Sequence, residues 1–458
     1  MNYYSTNRQA PEATLEEAVV KGLASDRGLY MPEHIKALPK EFFDTIDTLS
    51  FHEIACRVAE AFFGDDIPKE DLDRIVCDTL AFDCPVAEVE PDIYSLELFH
   101  GPTLAFKDVG ARFMARLLQY FIRKRDDSRE VNVLVATSGD TGSAVANGFL
   151  GVDGIHVYVL YPKGKVSPIQ ECQFTTLGRN ITAVEVDGVF DDCQRLVKSA
   201  FMDEELCSKM VLTSANSINV ARFLPQAFYY FNAYARMKAL GKADELVISV
   251  PSGNFGNITA GLFAHRMGLP VKRFIAANNA NDIFYNYLLS GVYNPKASVQ
   301  TIANAMDVGD PSNFARILDL YGNSHERITS LISGATYTDS QIRETMLNCY
   351  RHTGYILDPH GACGYRALKE GLREGETGVF LETAHPAKFK ETVESALSAE
   401  SASSAESALS AESASSAEST LSVEVAIPDR LAAFMQGRKQ STPMTADFAD
   451  FKAYLMGR

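Results

Sequence analysis

The sequence predicts an α/β fold with mainly parallel sheets. From Leu96 onward, short β-branched runs alternate with amphipathic stretches, and the junctions between them carry Gly, Ser, Asn or Pro. Parallel strands cannot be joined by tight hairpins, and intervening helices supply the crossovers they need. In chain order, residues 131–137 (VNVLVAT) read as a buried strand and SGDTGSAVANGF as a loop entering a helix. Residues 157–162 and 181–186 read as further strands. Residues 221–237 predict one long helix with Pro225 in its first turn. ELVISVPSG gives a strand and turn, NITAGLFAHRMG a helix, and RFIAAN and TGVFLETA two more strands. Residues 1–90 alternate short apolar patches with acidic ones and carry no motif tied to chemistry. Near the end, IPDRLAAFMQGRK and TADFADFKAYLMGR read as ordered, closing in a helix.

Composition narrows the function classes. The 458 residues are 46% hydrophobic and 22% charged, a globular balance with apolar sequence enough for two to three domains. A net charge of -16 argues against a nucleic-acid partner held through phosphates, while a small anion needs only a few local cationic or N–H groups. The first residues lack a basic region followed by an apolar one, and no apolar run approaches the ~20 residues that span a bilayer. The eight cysteines are scattered without a CxxC pair, and the nine histidines include no HExxH. A cytoplasmic protein with reduced thiols, no metal and no membrane partner is the expectation.

One segment departs from the α/β rhythm. SALSAESASSAE occupies 395–406 and recurs at 407–418, followed by a degraded copy, STLSVE. Its sub-period of six does not match a helical turn, so Leu397 and Leu409 cannot build a sustained apolar stripe. Ser and Glu dominate, leaving little apolar surface to offset chain entropy. A flexible acidic insertion is expected, with a loosely helical surface segment as the alternative.

Four stretches carry chemistry. In LELFHGPTLAFKDVGARFMARLLQYF (96–121), Val109, Phe113, Leu117 and Phe121 recur every four residues after Gly101 and Pro102. That spacing starts a helix near Phe106 and puts Lys107 in its first turn, where the helix dipole and desolvation both disfavour an ammonium. A lysine that attacks a carbonyl needs a neutral amine, whereas beside Asp108 the same residue could be a solvated ion pair. In SVPSGNFGNITAGLF (249–263), Gly253 and Gly256 allow a turn whose N–H groups converge ahead of a helix, the makings of a phosphate cradle or simply a glycine-rich turn. It matches neither a dinucleotide fingerprint nor a Walker loop. In VLVATSGDTGSAVA (133–146), Ser138, Thr141 and the N–H groups after Gly139 could receive a carboxylate, or serve only as helix caps. FLETAHPAKF (380–389) is a strand end carrying Thr383, His385 and Lys388.

Taken together and in this order, HGPTLAFK, TSGDTG, SGNFGN and TAHPAKF resemble the threonine synthase family, in its longer bacterial and fungal branch. The resemblance covers most of residues 1–394, including TLEEAVVKGLASDRGLYMPEHI, SANSINVARF, ANAMDV and DPHGACGYRAL, and leaves the repeat outside. It implies the fold-type-II architecture of enzymes that use pyridoxal 5'-phosphate (PLP): two open α/β domains with mainly parallel sheets, an N-terminal extension and a C-terminal tail. The expected divisions are an extension at 1–92, a larger PLP-binding domain from 93–130 and 245–394, a smaller domain at 131–244, the insertion at 395–422 and the tail at 423–458.

The implied activity is that of a lyase converting O-phosphohomoserine and water to threonine and phosphate, the last step of threonine biosynthesis. By motif, Lys107 would hold PLP covalently and then shuttle protons. Gly253, Asn254, Phe255, Gly256 and Asn257 would cradle the cofactor phosphate, and Thr383 would meet the pyridine nitrogen. Ser138 and Thr141 would hold the substrate carboxylate, with Lys163, Lys165, Arg222 and Lys388 as candidates for its phosphate. More distant relatives place an asparagine where Asp140 stands. An ionised Asp140 would repel the ring hydroxyl's oxyanion, so either it is protonated or another group, Asn216 or Asn219, takes that contact. A phospho-lyase yielding a 2-oxo acid, or a silent protein that binds PLP or a small anion, are the competing readings.

Overall fold

The computed structural model describes residues 1–125, 129–398 and 423–457. Its frame is a pair of sheets. The larger has six strands in the order Ile332–Thr336, Arg273–Asn278, Leu246–Pro251, Thr377–Glu382, Ile93–Glu97 and Val86–Glu90. The smaller has five, in the order Thr442–Thr445, Ile181–Asp187, Ile155–Pro162, Val131–Ala136 and Val211–Ser214. Every pairing in both is parallel except the edge pair Val86–Glu90 with Ile93–Glu97. The strands Val131–Ala136, Leu246–Pro251 and Thr377–Glu382 are buried along their whole length. Such strands read as continuous apolar runs because helices cover both faces.

Helices begin where the sequence supplies caps. Thr14 with Glu17 and Ser50 with Glu53 form capping boxes, so the N-terminal region that carried no chemical motif is nonetheless firmly helical at Leu15–Lys21 and Phe51–Phe63. The second of these buries Ile54, Val58 and Phe62 on one face. Phe62 and Phe63 pack against Phe263 and Phe113, joining this segment to the helices Gly256–Arg266 and Lys107–Lys124.

Two expectations change. The stretch 221–237 is not one helix but Val220–Phe223, a tighter turn at Leu224–Gln226, and Ala227–Ala239. Pro225 has no N–H to donate and its ring crowds the carbonyl a turn earlier, which interrupts the α pattern. The repeat was expected to be irregular from 395, yet the helix Lys390–Leu397 runs into it and buries Ala396 and Leu397. The remainder of that expectation, at 399–422, lies outside the described residues.

The chain on either side of 399–422 is drawn together. Glu394 Oε1 accepts from Val425 N at 2.9 Å, and Lys390 Nζ donates to Val425 O at 2.7 Å. Replacing 399–422 by a short Gly/Ser bridge should therefore leave the fold intact. Loop-closure entropy changes slowly with length, so stability should move by no more than about 1 kcal/mol, toward greater stability. Thermal unfolding of parent and bridged proteins measures this directly.

Candidate active site

Strand order brings the chemical motifs together. Thr377–Glu382 lies between Leu246–Pro251 and Ile93–Glu97, all three parallel, so the loops leaving their C-terminal ends are neighbours. In open α/β sheets that end is where ligands bind. The connection after Ile93–Glu97 is tied to the middle one. Leu98 N donates to Glu382 O (3.0 Å), Phe106 N to Thr383 O (2.9 Å) and His385 N to Leu104 O (3.0 Å). Thr383 is thereby fixed beside the residue that precedes Lys107.

Lys107 opens the helix Lys107–Lys124, as its apolar spacing predicts. It is partly exposed, and none of the described residues accepts a hydrogen bond from its Nζ. Burial lowers its amine to about 8; Asp140 opposes this, and the positive charges of Lys388 and Arg222 reinforce it. A fraction of the side chain is thus neutral near physiological pH. Asp108, read from sequence as a possible ion-pair partner, is turned away. It is buried and accepts from Thr103 Oγ1 (2.6 Å) and Thr103 N (2.9 Å).

Asp140 begins the helix Asp140–Phe149 at the end of the strand Val131–Ala136, on the smaller sheet. Gly139 precedes it at φ 144°, and a Cβ there would lie 2.6 Å from the Gln170 amide, so only glycine fits. Asp140 Oδ1 pairs with Lys388 Nζ at 2.6 Å and accepts from Gln170 Nε2 at 2.9 Å. Burial alone would raise this carboxyl, but the charges of Lys388 and Lys107 outweigh it and hold it down at about 2. The Asp140 carboxyl is thus held low and is met by a cation. Lys388, a sequence candidate for the substrate phosphate, is buried, with its ammonium between Asp140 and the carbonyl of Thr103 (2.8 Å).

The SGNFGN turn provides an anion cradle. Phe255 adopts a left-handed conformation (φ 62°) at the start of the helix Gly256–Arg266, a turn that aims successive N–H groups to one side. Among the described residues, the N–H groups of Gly253, Asn254, Phe255, Gly256 and Asn257 have no acceptor, an unusual concentration of unmet donors. A phosphate satisfies such a set, with the helix dipole behind it. Gly253 is required by close approach, since a Cβ would stand 2.7 Å from Met306 Cα.

The cradle is held from below by residues that periodicity did not single out. Asn254 Nδ2 donates to Ser217 Oγ (2.7 Å), and Asn313 Nδ2 donates to Asn254 O (3.0 Å). Arg316, fully buried, donates to Asn313 Oδ1 (2.6 Å), Ser217 O (3.0 Å), Ile218 O (2.6 Å) and Tyr30 O (3.2 Å). Two consecutive tyrosines connect the cradle to the lysine: Tyr229 donates to Phe106 O, and Tyr230 to Asn257 Oδ1 (2.8 Å). The polar residues within long apolar stretches were the available signal. Their partners, distant in sequence, were not readable.

The other residues singled out from sequence fall in distinct places. Ser138 and Thr141 are partly exposed at the start of Asp140–Phe149, while the cap work there is done by Thr137 Oγ1, which accepts from Gly139 N (2.9 Å) and Gly142 N (2.8 Å). Thr383 is buried. Lys163 and Lys165 are exposed on the loop after Ile155–Pro162. Arg222 is buried behind Lys107, with Nη1 3.5 Å from Lys107 O. Asn219 is spent on structure: it caps Val220–Phe223 and donates to Val19 O (2.8 Å). Asn216 Nδ2 donates to Ala136 O (3.3 Å). His385 caps the turn at 386–389 through Nδ1 (3.1 Å to Ala387 N). The open groove lined by Asp191, Arg195, Lys198 and Phe448 contains none of these residues.

Comparison with known proteins agrees with this arrangement. Residues 81–383 match the pyridoxal-phosphate dependent enzyme family, 2–80 the threonine synthase N terminus and 361–455 the threonine synthase C-terminal family. A threonine synthase from Haemophilus influenzae is 44% identical over 456 residues, covering 100% of both chains. The crystal structure of threonine synthase from Escherichia coli superposes with a TM-score of 0.89 at 42% identity, covering 100% of each chain. That of PLP-bound threonine synthase from Brucella melitensis gives 0.88 at 34%, covering 100% of this chain and 99% of the other. On matches of this extent, with an unpartnered lysine amine and a glycine-rich turn set at the ends of parallel strands, the chain belongs to the threonine synthase family of fold-type-II, pyridoxal-phosphate-dependent enzymes.

Proposed function

We propose that this protein converts O-phosphohomoserine and water to threonine and inorganic phosphate, with PLP attached at Lys107. The observation that carries the reading is the pairing of a lowered, unengaged amine at Lys107 with five unmet N–H groups at Gly253–Asn257. PLP, when bound, supplies an electron sink for negative charge developing on the substrate carbons. The remaining work falls to the chain. The N–H groups of Gly253, Asn254, Phe255, Gly256 and Asn257 would take the cofactor phosphate. The Thr383 hydroxyl would meet the ring nitrogen, and a hydroxyl there does not demand a protonated ring.

Ser138 and Thr141, partly exposed at a helix start, would orient the substrate carboxylate. Lys107 Nζ would take a proton from a substrate carbon and return it, and an amine near 8 suits both directions. Lys163 and Lys165 are the solvent-facing cations assigned here to the substrate phosphate. Their loop leads to Ser167, whose Oγ lies 3.5 Å from Lys388 O. Arg222 would contribute charge from behind Lys107 and not a direct contact. Reduced thiols fit a cytoplasmic setting: all eight cysteines are free.

Incubating the PLP-loaded protein with O-phosphohomoserine should release threonine and phosphate in equal amounts. Phosphate with a 2-oxo acid in place of threonine would assign a phospho-lyase instead, and no turnover a binding protein. Borohydride reduction should fix PLP to Lys107, and Lys107→Ala should abolish that attachment. Because the reactive form is the neutral amine, attachment should quicken as pH rises through about 8 and slow below it. A rate independent of pH between 6 and 9 would contradict this. Gly253→Ala should weaken PLP binding by about tenfold or more, since the added methyl enters the space between the cradle and Met306. Titration of the stripped protein with PLP, followed by visible absorption, measures it.

A further inference from the structure

We propose that Lys388 is a positioning residue that occupies Asp140 and so keeps this carboxylate from pairing with the Lys107 ammonium. The inference rests on the reading of Lys107 as the PLP lysine and adds a residue that sets its charge. Three facts of geometry support it. Asp140 Oδ1 receives Lys388 Nζ at 2.6 Å and Gln170 Nε2 at 2.9 Å. Lys388 Nζ has a second acceptor in Thr103 O at 2.8 Å, its side chain is completely buried, and the tight turn Pro386–Phe389 holds its backbone. Lys107 Nζ has no acceptor among the described residues.

The charged groups around Lys107 come from several elements. Asp140 comes from the helix Asp140–Phe149, Lys388 from the turn after Thr377–Glu382, and Arg222 from the short helix Val220–Phe223. Asp108, on the helix of Lys107 itself, is taken up by Thr103. Within this set Asp140 is the carboxylate available to hold Lys107 charged. A buried carboxylate takes whichever cation reaches it with the better geometry, and Lys388 is the one in contact. With Lys388 gone, the Asp140 carboxylate would stabilise the Lys107 ammonium, and a protonated amine cannot attack the cofactor aldehyde.

The test is competitive acetylation of the full-length protein stripped of PLP, across a range of pH, with Lys107 quantified by mass spectrometry. This reads the amine directly and does not depend on turnover. Lys388→Met should move the midpoint of Lys107 reactivity upward by about one pH unit or more. Asp140→Asn, which leaves Lys388 charged beside Lys107, should move it downward. The double variant should return the midpoint toward the parent value, a sign pattern that general loosening of the fold would not produce. An unchanged or lowered midpoint in Lys388→Met overturns the proposal. So does a Lys388→Met protein that fails to fold while the double variant folds, because Asp140 would then have found no partner in Lys107. Borohydride trapping of PLP on the unmutated protein is run alongside. Attachment at another lysine would refute the underlying reading, whereas attachment at Lys107 with a flat Lys388→Met response would refute this inference alone.

Discussion

Asp140 and Lys388 follow strands of different sheets, and neither charge could be buried there without the other. Removing a carboxylate or an ammonium from water costs several kcal/mol, and leaving one of the pair alone typically costs about 3–5 kcal/mol. The 2.6 Å contact is therefore a constraint as much as an attraction. It fixes the start of the helix Asp140–Phe149 on the smaller sheet relative to the turn after Thr377–Glu382 on the larger. Lys107 lies next to this junction. Thr103, four residues earlier, gives its carbonyl to Lys388 and to Gln173 and its hydroxyl to Asp108. The reactive amine is thus framed by polar groups that are already satisfied. It is left with burial, and not a partner, as the main influence on its charge.

Much of this frame was legible in the sequence because it depends on local signals. The four-residue spacing from Val109 to Phe121 places Lys107 at a helix start, and the structure begins the helix at that residue. The buried strands were visible as apolar runs, since a parallel sheet covered on both faces needs nothing else of them. The SGNFGN turn was readable as a cradle from two glycines between a strand and a helix. What it could not reveal is that Met306, fifty-three residues beyond Gly253, closes on it. The same limit applies to Lys388. Beside Asp140 in space but remote in sequence, it resembled any other cation near a strand end until the fold brought them together.

Polar residues inside apolar stretches were the least legible. Tyr229 and Tyr230 look like core aromatics, and their bodies are buried as such. Their hydroxyls reach Phe106 O and Asn257 Oδ1, linking the lysine and the cradle through one helix. Arg316 is a stronger case. A fully buried guanidinium without a carboxylate is costly, and burial lowers it to about 9. It is retained by four oxygens: Tyr30 O from the N-terminal extension, Ser217 O and Ile218 O from the SANSIN loop, and Asn313 Oδ1 beneath the cradle. The N-terminal extension, which bears no chemical motif of its own, is in this way joined to the SGNFGN turn by one side chain.

The C-terminal tail has a comparable role on the opposite side. Thr442–Thr445 adds a parallel strand to the edge of the smaller sheet, beside Ile181–Asp187, which covers an otherwise unpaired row of backbone groups. Just before it, Lys439 bridges Glu171 and Glu185, both at 2.6 Å, and Gln440 N donates to Thr175 O at 2.7 Å. Glu171 and Thr175 belong to the helix Pro168–Thr175. That helix also carries Gln170, which donates to Asp140, and Gln173, which donates to Thr103 O. The tail therefore steadies the second donor of the Asp140 carboxylate. Lys439 and Gln440 thus tie the tail to the helix that contacts the site through both Gln170 and Gln173. The residues after the repeat thus belong to the support of the active site as well as to the sheet edge they cover.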